Sequence, residues 1–209
     1  MSPILKRLAD VLFSGTLILL LLPIGTLLVL AIWWKMGFPV LFSQDRPGLN
    51  GHLFRLYKFR TMRDAAGADG KPLADAERLT SVGRWMRKWS LDELPELFNV
   101  MKGNMSLVGP RPLLPQYLGR YTPEQARRHE VKPGLTGWAQ VNGRNAITWE
   151  EKFALDVWYV DNRTFRLDMK ILAMTAWKVL MREGISAEGE ATMPEFMGTD
   201  PTSGKSGNA

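Results

Sequence analysis

Apolar residues are massed at the start of the chain and patterned afterwards. Val11 to Trp34 carries no charged side chain (VLFSGTLILLLLPIGTLLVLAIWW), and about 20 such residues suffice to enter or cross a bilayer. Its length, and the lack of a small-residue cleavage site before a polar stretch, set it apart from a cleavable signal peptide. Pro23 stands near the middle, where it removes a backbone donor and bends a helix. Lys6 and Arg7 precede the run and Lys35 follows it. Positive charge on both flanks agrees with a helix that enters, turns at Pro23 and leaves by the same, cytoplasmic face. An ordinary kinked spanning helix is the alternative, because proline is tolerated in such helices. Trp33 and Trp34 sit at headgroup level in either case.

Beyond this run the period changes. Val40–Phe42 and Leu53–Phe59 read as short strands around the turn-rich segment 46–51, RPGLNG. Tyr57 to Met62 (YKFRTM) alternates bulky apolar residues with cations, so one face packs while the other presents charge. Asp64 to Glu77 reads as an exposed loop. Arg78 to Trp89 reads as an amphipathic helix with Trp85 and Trp89 on one face among Arg84, Arg87 and Lys88. Such a helix either lies in the headgroup layer or turns its tryptophans inward. Val131 to Ile147 is rich in glycine and polar side chains and reads as a substrate-facing loop, with Trp138 to stack on a base or sugar and Arg144 to meet phosphate. Thr148 and Glu151 form a capping box that starts a helix running to about Val160. A further helix spans Leu167 to Arg182, stopped near Gly184. From Ser186 small and polar residues dominate, and residues 198–209 are expected to be disordered.

Charge narrows the function classes. The chain of 209 residues has a formal net charge of +6, no cysteine and two histidines. Disulfides and thiolate metal sites are excluded, and His52 and His129 lack the spacing of zinc ligands. A basic balance together with an apolar anchor suits anionic lipid and phosphate-rich substrates, not nucleic acid. Neither a phosphate-binding Gly-x-x-x-x-Gly-Lys loop nor the Asp-x-Asp of many nucleotide-sugar glycosyltransferases occurs.

The candidate chemistry lies in Ser90 to Arg111 (SLDELPELFNVMKGNMSLVGPR). Asp92 and Glu93 are adjacent carboxylates behind the basic run Arg84, Arg87 and Lys88. Arg111 is held between Pro110 and Pro112. Carboxylates flanked by fixed cations suit a divalent metal and a polyphosphate. Ser90 to Glu93 also reads as a plain capping box. If Pro95 instead occupies the first helical position, both carboxylates fall on the loop that enters the helix.

These segments occur together in one order: a proline-containing N-terminal apolar run, QDRPG, YKFRTM, SLDELPELFNVMKGNMSLVGPRP, KPGLTGWAQVNGRN and LDVWYV. Together they resemble the small monotopic phosphoglycosyl transferases of the bacterial sugar transferase family, over about residues 3 to 198. Within the family the resemblance is greatest to members that transfer diacetylbacillosamine phosphate.

The resemblance implies an α+β, mostly helical fold: a re-entrant, proline-broken membrane helix (1–36), then amphipathic interfacial helices and a small β-hairpin in one compact cytoplasmic-face domain (37–185), then a C-terminal tail (186–209). It implies transfer of a sugar 1-phosphate, N-acetylated by this resemblance, from a UDP-sugar to polyprenyl (undecaprenyl) phosphate with release of UMP. It also implies Mg²⁺, phospholipid contact and the bacterial inner membrane; oligomeric state is open, a homodimer being one option. By match to its motifs, Asp92 and Glu93 are the catalytic and metal-binding dyad. Arg111, Arg87 and Lys58 bind substrate, and Pro23 marks the membrane break. Arg144 and Asp168 are further expected supports for donor binding. Where the family often has Ser-Pro at the break, this chain has Leu22-Pro23, with Thr26 nearby as a substitute hydroxyl. A membrane-anchored glycosyltransferase releasing UDP and a non-catalytic basic membrane adaptor are the rival readings.

Overall fold

The computed structural model describes residues 2–67, 70–71, 73–143, 147–181 and 195–199. The chain forms α1 (Pro3–Met36), β1 (Leu41–Pro47), β2 (Leu53–Phe59), α2 (Asp75–Arg78), α3 (Ser81–Lys88), α4 (Glu96–Lys102), β3 (Ser106–Val108), α5 (Pro123–Ala126), β4 (Gly134–Thr136), α6 (Trp138–Asn142), α7 (Trp149–Asn162) and α8 (Phe165–Met181). Helices predominate. β1 and β2 pair antiparallel, with Leu41 opposite Phe59 and Pro47 opposite Leu53, while β3 and β4 form a short parallel pair.

α4 is the centre of the main core. Its Leu97 and Val100 pack with Leu56 of β2, Leu107 and Val108 of β3, Tyr159 of α7 and Ile171 of α8. The amide of Asn99 joins α4 to the hairpin edge: its oxygen accepts from Tyr57 N (3.2 Å) and its nitrogen donates to the Arg55 carbonyl (2.8 Å). One side chain thus stands in for a neighbouring strand and fixes β2 in register against α4. Gly103, at φ 88°, ends α4 in the left-handed region.

α1 runs helical through Pro23 as one continuous element. A single missing donor leaves the helix on either side intact. The Thr26 hydroxyl does donate to a backbone carbonyl, that of Leu22 at 2.9 Å, but proline at position 23 frees the carbonyl four residues back, at Leu19. Only Asp10, Ser14, Leu28 and Ile32 of α1 are buried. Between Ser14 and Leu28 the helix offers an apolar surface, with Leu19 73 % and Leu20 69 % exposed. α1 is the one helix among the described residues long and apolar enough to cross a membrane.

Both ends of α1 dock on the same body. Arg7 donates to the carbonyls of Val100 and Met101, both at 2.5 Å, placing a cation at the C-terminal end of α4, where it complements the helix dipole. Asp10 accepts from Ser106 Oγ (3.1 Å) and Leu107 N (3.2 Å). At the other end Leu28 and Ile32 pack with Phe59 and Met86.

Residues read from sequence as a polar tail include a buried anchor. Phe196 is 2 % exposed and lies among Tyr117, Tyr121, Trp149 and Phe153. Gln125 donates to Thr199 Oγ1 at 2.7 Å. Segments 182–194 and 200–209 lie outside the described residues.

Candidate active site

The dyad sits in a turn, not in a helix. Leu91–Glu93 forms a 3₁₀ turn and α4 follows from Glu96, with Pro95 as its N-terminal flank. Ser90 does not cap it: its φ is 54° and ψ 23°, with no side-chain capping bond. A non-glycine residue in the left-handed region costs about 1–3 kcal/mol. The carboxylate of Glu93, which a capping box would turn back to the chain, is taken by more distant cations.

Lys58 Nζ lies 2.8 Å from Glu93 Oε1 and 3.1 Å from Glu96 Oε1. Arg111 also pairs with Glu93, using both ends of its guanidinium. Burial works to raise the Glu93 pKa, but Arg111 and Lys58 outweigh it and hold the group well below the usual carboxylate range. Arg111 is raised in turn by Glu93, yet keeps 32 % of its side chain open to solvent. The Pro110-Arg111 turn follows β3, where Gly109 is pressed against the segment before β4; a Cβ there would lie 2.4 Å from the Lys132 carbonyl.

Asp92 is treated differently. It is 9 % exposed, and no ion pair reaches its carboxylate among the described residues. Its pKa is raised by burial first and by Glu93 second, with Lys58 and Arg87 opposing. The neighbouring carboxylates therefore divide the work: Glu93 organises cations, and Asp92 is an under-solvated anion that meets only its own backbone N–H and no cation in an ion pair among the described residues. Such a group is a stronger nucleophile than one locked in ion pairs.

Arg87 approaches from α3. Its Nε donates to Thr61 Oγ1 at 3.2 Å. Gly83 lets α3 come this near, since a Cβ there would lie 2.0 Å from the Thr61 carbonyl.

Four expected residues, Lys58, Asp92, Glu93 and Arg111, thus come together, with Arg87 acting on Asp92 through its charge. Asp168 is placed elsewhere. It is 2 % exposed, pairs with Lys6 at 2.8 Å and accepts from Tyr159 at 2.7 Å, tying α8 to α1 and α7. Arg144 lies outside the described residues. Trp138 is already occupied: it stacks on Trp158 with centroids 5.1 Å apart, and Lys170 lies over its ring.

Glu96 is a site residue that the sequence reading left unassigned. Its carboxyl is pushed up to about 7 by burial and by Glu93, against the pull of Lys58. The folded state thus holds this proton more tightly than the unfolded chain, whose ordinary value is 4.5. The associated stability is fully present below that ordinary value and lost as pH rises through about 7. Glu96→Gln is expected to flatten the fall in stability between pH 4.5 and about pH 7, followed by chemical denaturation in chelator. An unchanged slope would mean that Glu96 is ionised throughout.

No cluster of three metal-ligating side chains exists among the described residues. Mg²⁺ needs no such cage, because it typically takes one or two carboxylates plus substrate phosphates. Asp92 fits as a hard oxygen donor. Glu93 fits only by sharing oxygens with Lys58 and Arg111.

The bacterial sugar transferase family profile matches residues 1–182. An uncharacterized sugar transferase, EpsL, from Bacillus subtilis (strain 168) is 56 % identical over 200 residues, covering 96 % of this chain and 99 % of its own. Undecaprenyl-phosphate galactose phosphotransferase from Salmonella typhimurium is 40 % identical over 205 residues, 88 % of this chain and 42 % of that protein. UDP-glucose:undecaprenyl-phosphate glucose-1-phosphate transferase from Caulobacter vibrioides is 40 % identical over 187 residues, 84 % of this chain and 69 % of that one. The chain spans nearly all of the first relative and about two fifths of the second. By the extent of these matches, it is a transferase that belongs to the bacterial sugar transferase family.

Proposed function

We propose that the protein transfers a sugar 1-phosphate from a UDP-sugar to polyprenyl phosphate, releasing UMP, at the cytoplasmic face of the bacterial inner membrane. The observation that carries this reading is the asymmetry of the dyad: Glu93 is neutralised by Lys58 and Arg111, while the buried Asp92 forms no ion pair among the described residues. An Asp92 oxygen attacks the β-phosphorus of the donor. The bond from that phosphorus to the bridging oxygen breaks, and UMP leaves with the electron pair. A sugar-phosphoryl aspartate remains. A phosphate oxygen of the polyprenyl acceptor then attacks the same phosphorus, and the Asp92 carboxylate departs.

Both steps bring anions together, so fixed positive charge is the main requirement. Arg111, open on one side, and Arg87 meet the phosphates. Lys58 holds Glu93 and Glu96 in place. When bound at Asp92, with Glu93 sharing, Mg²⁺ would neutralise donor diphosphate charge.

The re-entrant reading of α1 is supported by its contacts. Asp10 and Ile32 are about 33 Å apart along a straight helix, roughly the thickness of the hydrocarbon core, yet both dock on one body. These contacts support a reading in which both ends of the apolar segment lie on one side, with 1–36 as membrane helix and 37–185 as catalytic domain.

The donor sugar is N-acetylated by motif resemblance, and the relatives named for galactose and glucose supply the competing hexoses. Purified full-length protein given undecaprenyl phosphate and a panel of these UDP-sugars should release UMP with one of them. Release of UDP would make it a direct glycosyltransferase, and turnover with neither nucleotide released would remove the proposal.

A further inference from the structure

The QDRPG segment, residues 44–48, has no role in the site so far. Its arginine has an unusual environment. Arg46 lies in β1 opposite Phe54 of β2. Directly opposed residues of an antiparallel pair share a face, and alternate residues of one strand do too. Arg46, Phe54, Leu56 and Lys58 therefore project from the same side of the hairpin. Leu56 is packed against Leu97 and Val100 of α4, so this side faces the catalytic segment. Arg46 and Lys58 sit at its two ends.

Arg128, which is buried, and Arg60, which is half-buried, show what a structural role looks like. Arg128 gives Nε and Nη2 to Asp156 and Nη2 also to the Arg111 carbonyl. Arg60 donates to three carbonyls and to Asp64. Arg46 is half-buried and, among the described residues, makes one hydrogen bond, from Nη2 to Gln44 Oε1 at 2.7 Å. Its Nε is buried with no partner. No carboxylate forms an ion pair with it among the described residues. The charges around it are those of the site: burial and then Arg111 lower its pKa, while Glu96 and Tyr117 oppose them. On the side of the hairpin that faces the catalytic segment, a charged guanidinium short of acceptors is one that an anionic ligand would complete.

We propose that Arg46 is a substrate-binding residue of this site, held by Gln44 so that its free donors take a phosphate group alongside Arg111. This rests on the proposed phosphoglycosyl transfer, which supplies two sources of that group: the donor diphosphate and the acceptor phosphate. The planar fork of arginine suits two oxygens of one phosphate, so lysine restores charge but not geometry.

The test uses the full-length protein in detergent or nanodiscs, as wild type, Arg46→Ala and Arg46→Lys. Arg46→Ala should raise KM for one substrate about tenfold or more, with a smaller change in kcat. A rise confined to the UDP-sugar assigns Arg46 to the donor diphosphate; a rise confined to polyprenyl phosphate assigns it to the acceptor. Arg46→Lys should recover part of the loss. KM values within about twofold of wild type for both substrates in Arg46→Ala would overturn the proposal.

A second measurement separates this outcome from failure of the functional reading. Inorganic pyrophosphate and UDP are titrated into wild type and Arg46→Ala with no turnover required. Weaker binding of either by the variant, by about fivefold or more, supports Arg46 even if no UDP-sugar is turned over. Equal binding of both, with KM unchanged for the acceptor, refutes it.

Discussion

Asp92→Asn is expected to abolish UMP release from donor alone and to lower overall turnover on the order of 10⁴- to 10⁶-fold, the usual consequence of losing a nucleophile. The replacement has nearly the same shape, but an amide oxygen is a poor nucleophile. Stability should move the other way. Burial and Glu93 raise the Asp92 pKa, so the folded state disfavours the charged form relative to the unfolded chain. Removing that charge is expected to leave the melting temperature unchanged or higher. Glu93→Gln should differ on both counts. It strips Lys58 and Arg111 of their shared carboxylate, leaves two cations crowded together, and lowers stability and activity alike. Intact-mass analysis completes the comparison: wild type with donor alone should gain a phosphosugar mass on the Asp92 peptide, and Asp92→Asn should not. Turnover of Asp92→Asn within about tenfold of wild type would eliminate the covalent route.

What could be read in the sequence was local. The capping box at Thr148 and the uncharged run of α1 each depend on neighbours a few residues away, and each was found. The turn expected over residues 46–51 begins only at Gly48, because Arg46 and Pro47 continue β1 opposite Phe54 and Leu53. The Ser90–Glu93 pattern is the same kind of signal as Thr148–Glu151, yet it fails because Lys58 and Arg111 claim Glu93 from 35 and 18 residues away. Trp138 was read as an open stacking surface, but Trp158 covers it from α7. Asp168 was expected to support donor binding. Its partner is Lys6, at the far end of the chain. Phe196 had no periodic context at all, and only the aromatic cluster it enters explains it. The dyad and its cations were visible because motif resemblance carries long-range information that periodicity lacks. Glu96 and Arg46 lay within the quoted motifs but acquire meaning only when α4 and β1 are folded around Lys58 and Arg111.

Asp156→Ala is expected to cost about 3–5 kcal/mol of stability, the range for removing one partner of a buried ion pair. Arg128 and Asp156 have side chains 1 % and 3 % exposed, and Asp156 Oδ2 receives Nε at 3.1 Å and Nη2 at 2.7 Å. Without it, a guanidinium enclosed by Tyr121 and Phe153 keeps its charge with no carboxylate to meet it. For a chain of this size, 1 kcal/mol shifts the melting temperature by about 2–4 °C, so a drop near 10 °C should be seen by thermal denaturation in detergent. The pair also reaches the site, because Arg128 Nη2 donates to the Arg111 carbonyl at 2.7 Å. A double replacement, Arg128→Met with Asp156→Leu, separates the two roles. Apolar side chains of similar volume commonly match or exceed the stability of a buried pair, so the melting temperature should return. The Arg111 carbonyl would still lack its donor, and a misplacement of about 1 Å at a phosphate-binding arginine is enough to cost about 100-fold in rate. Recovered stability with depressed kcat/KM is the expected signature of Arg128 as a positioning residue. Recovery of both would confine the pair to holding α7 against the segment after α5.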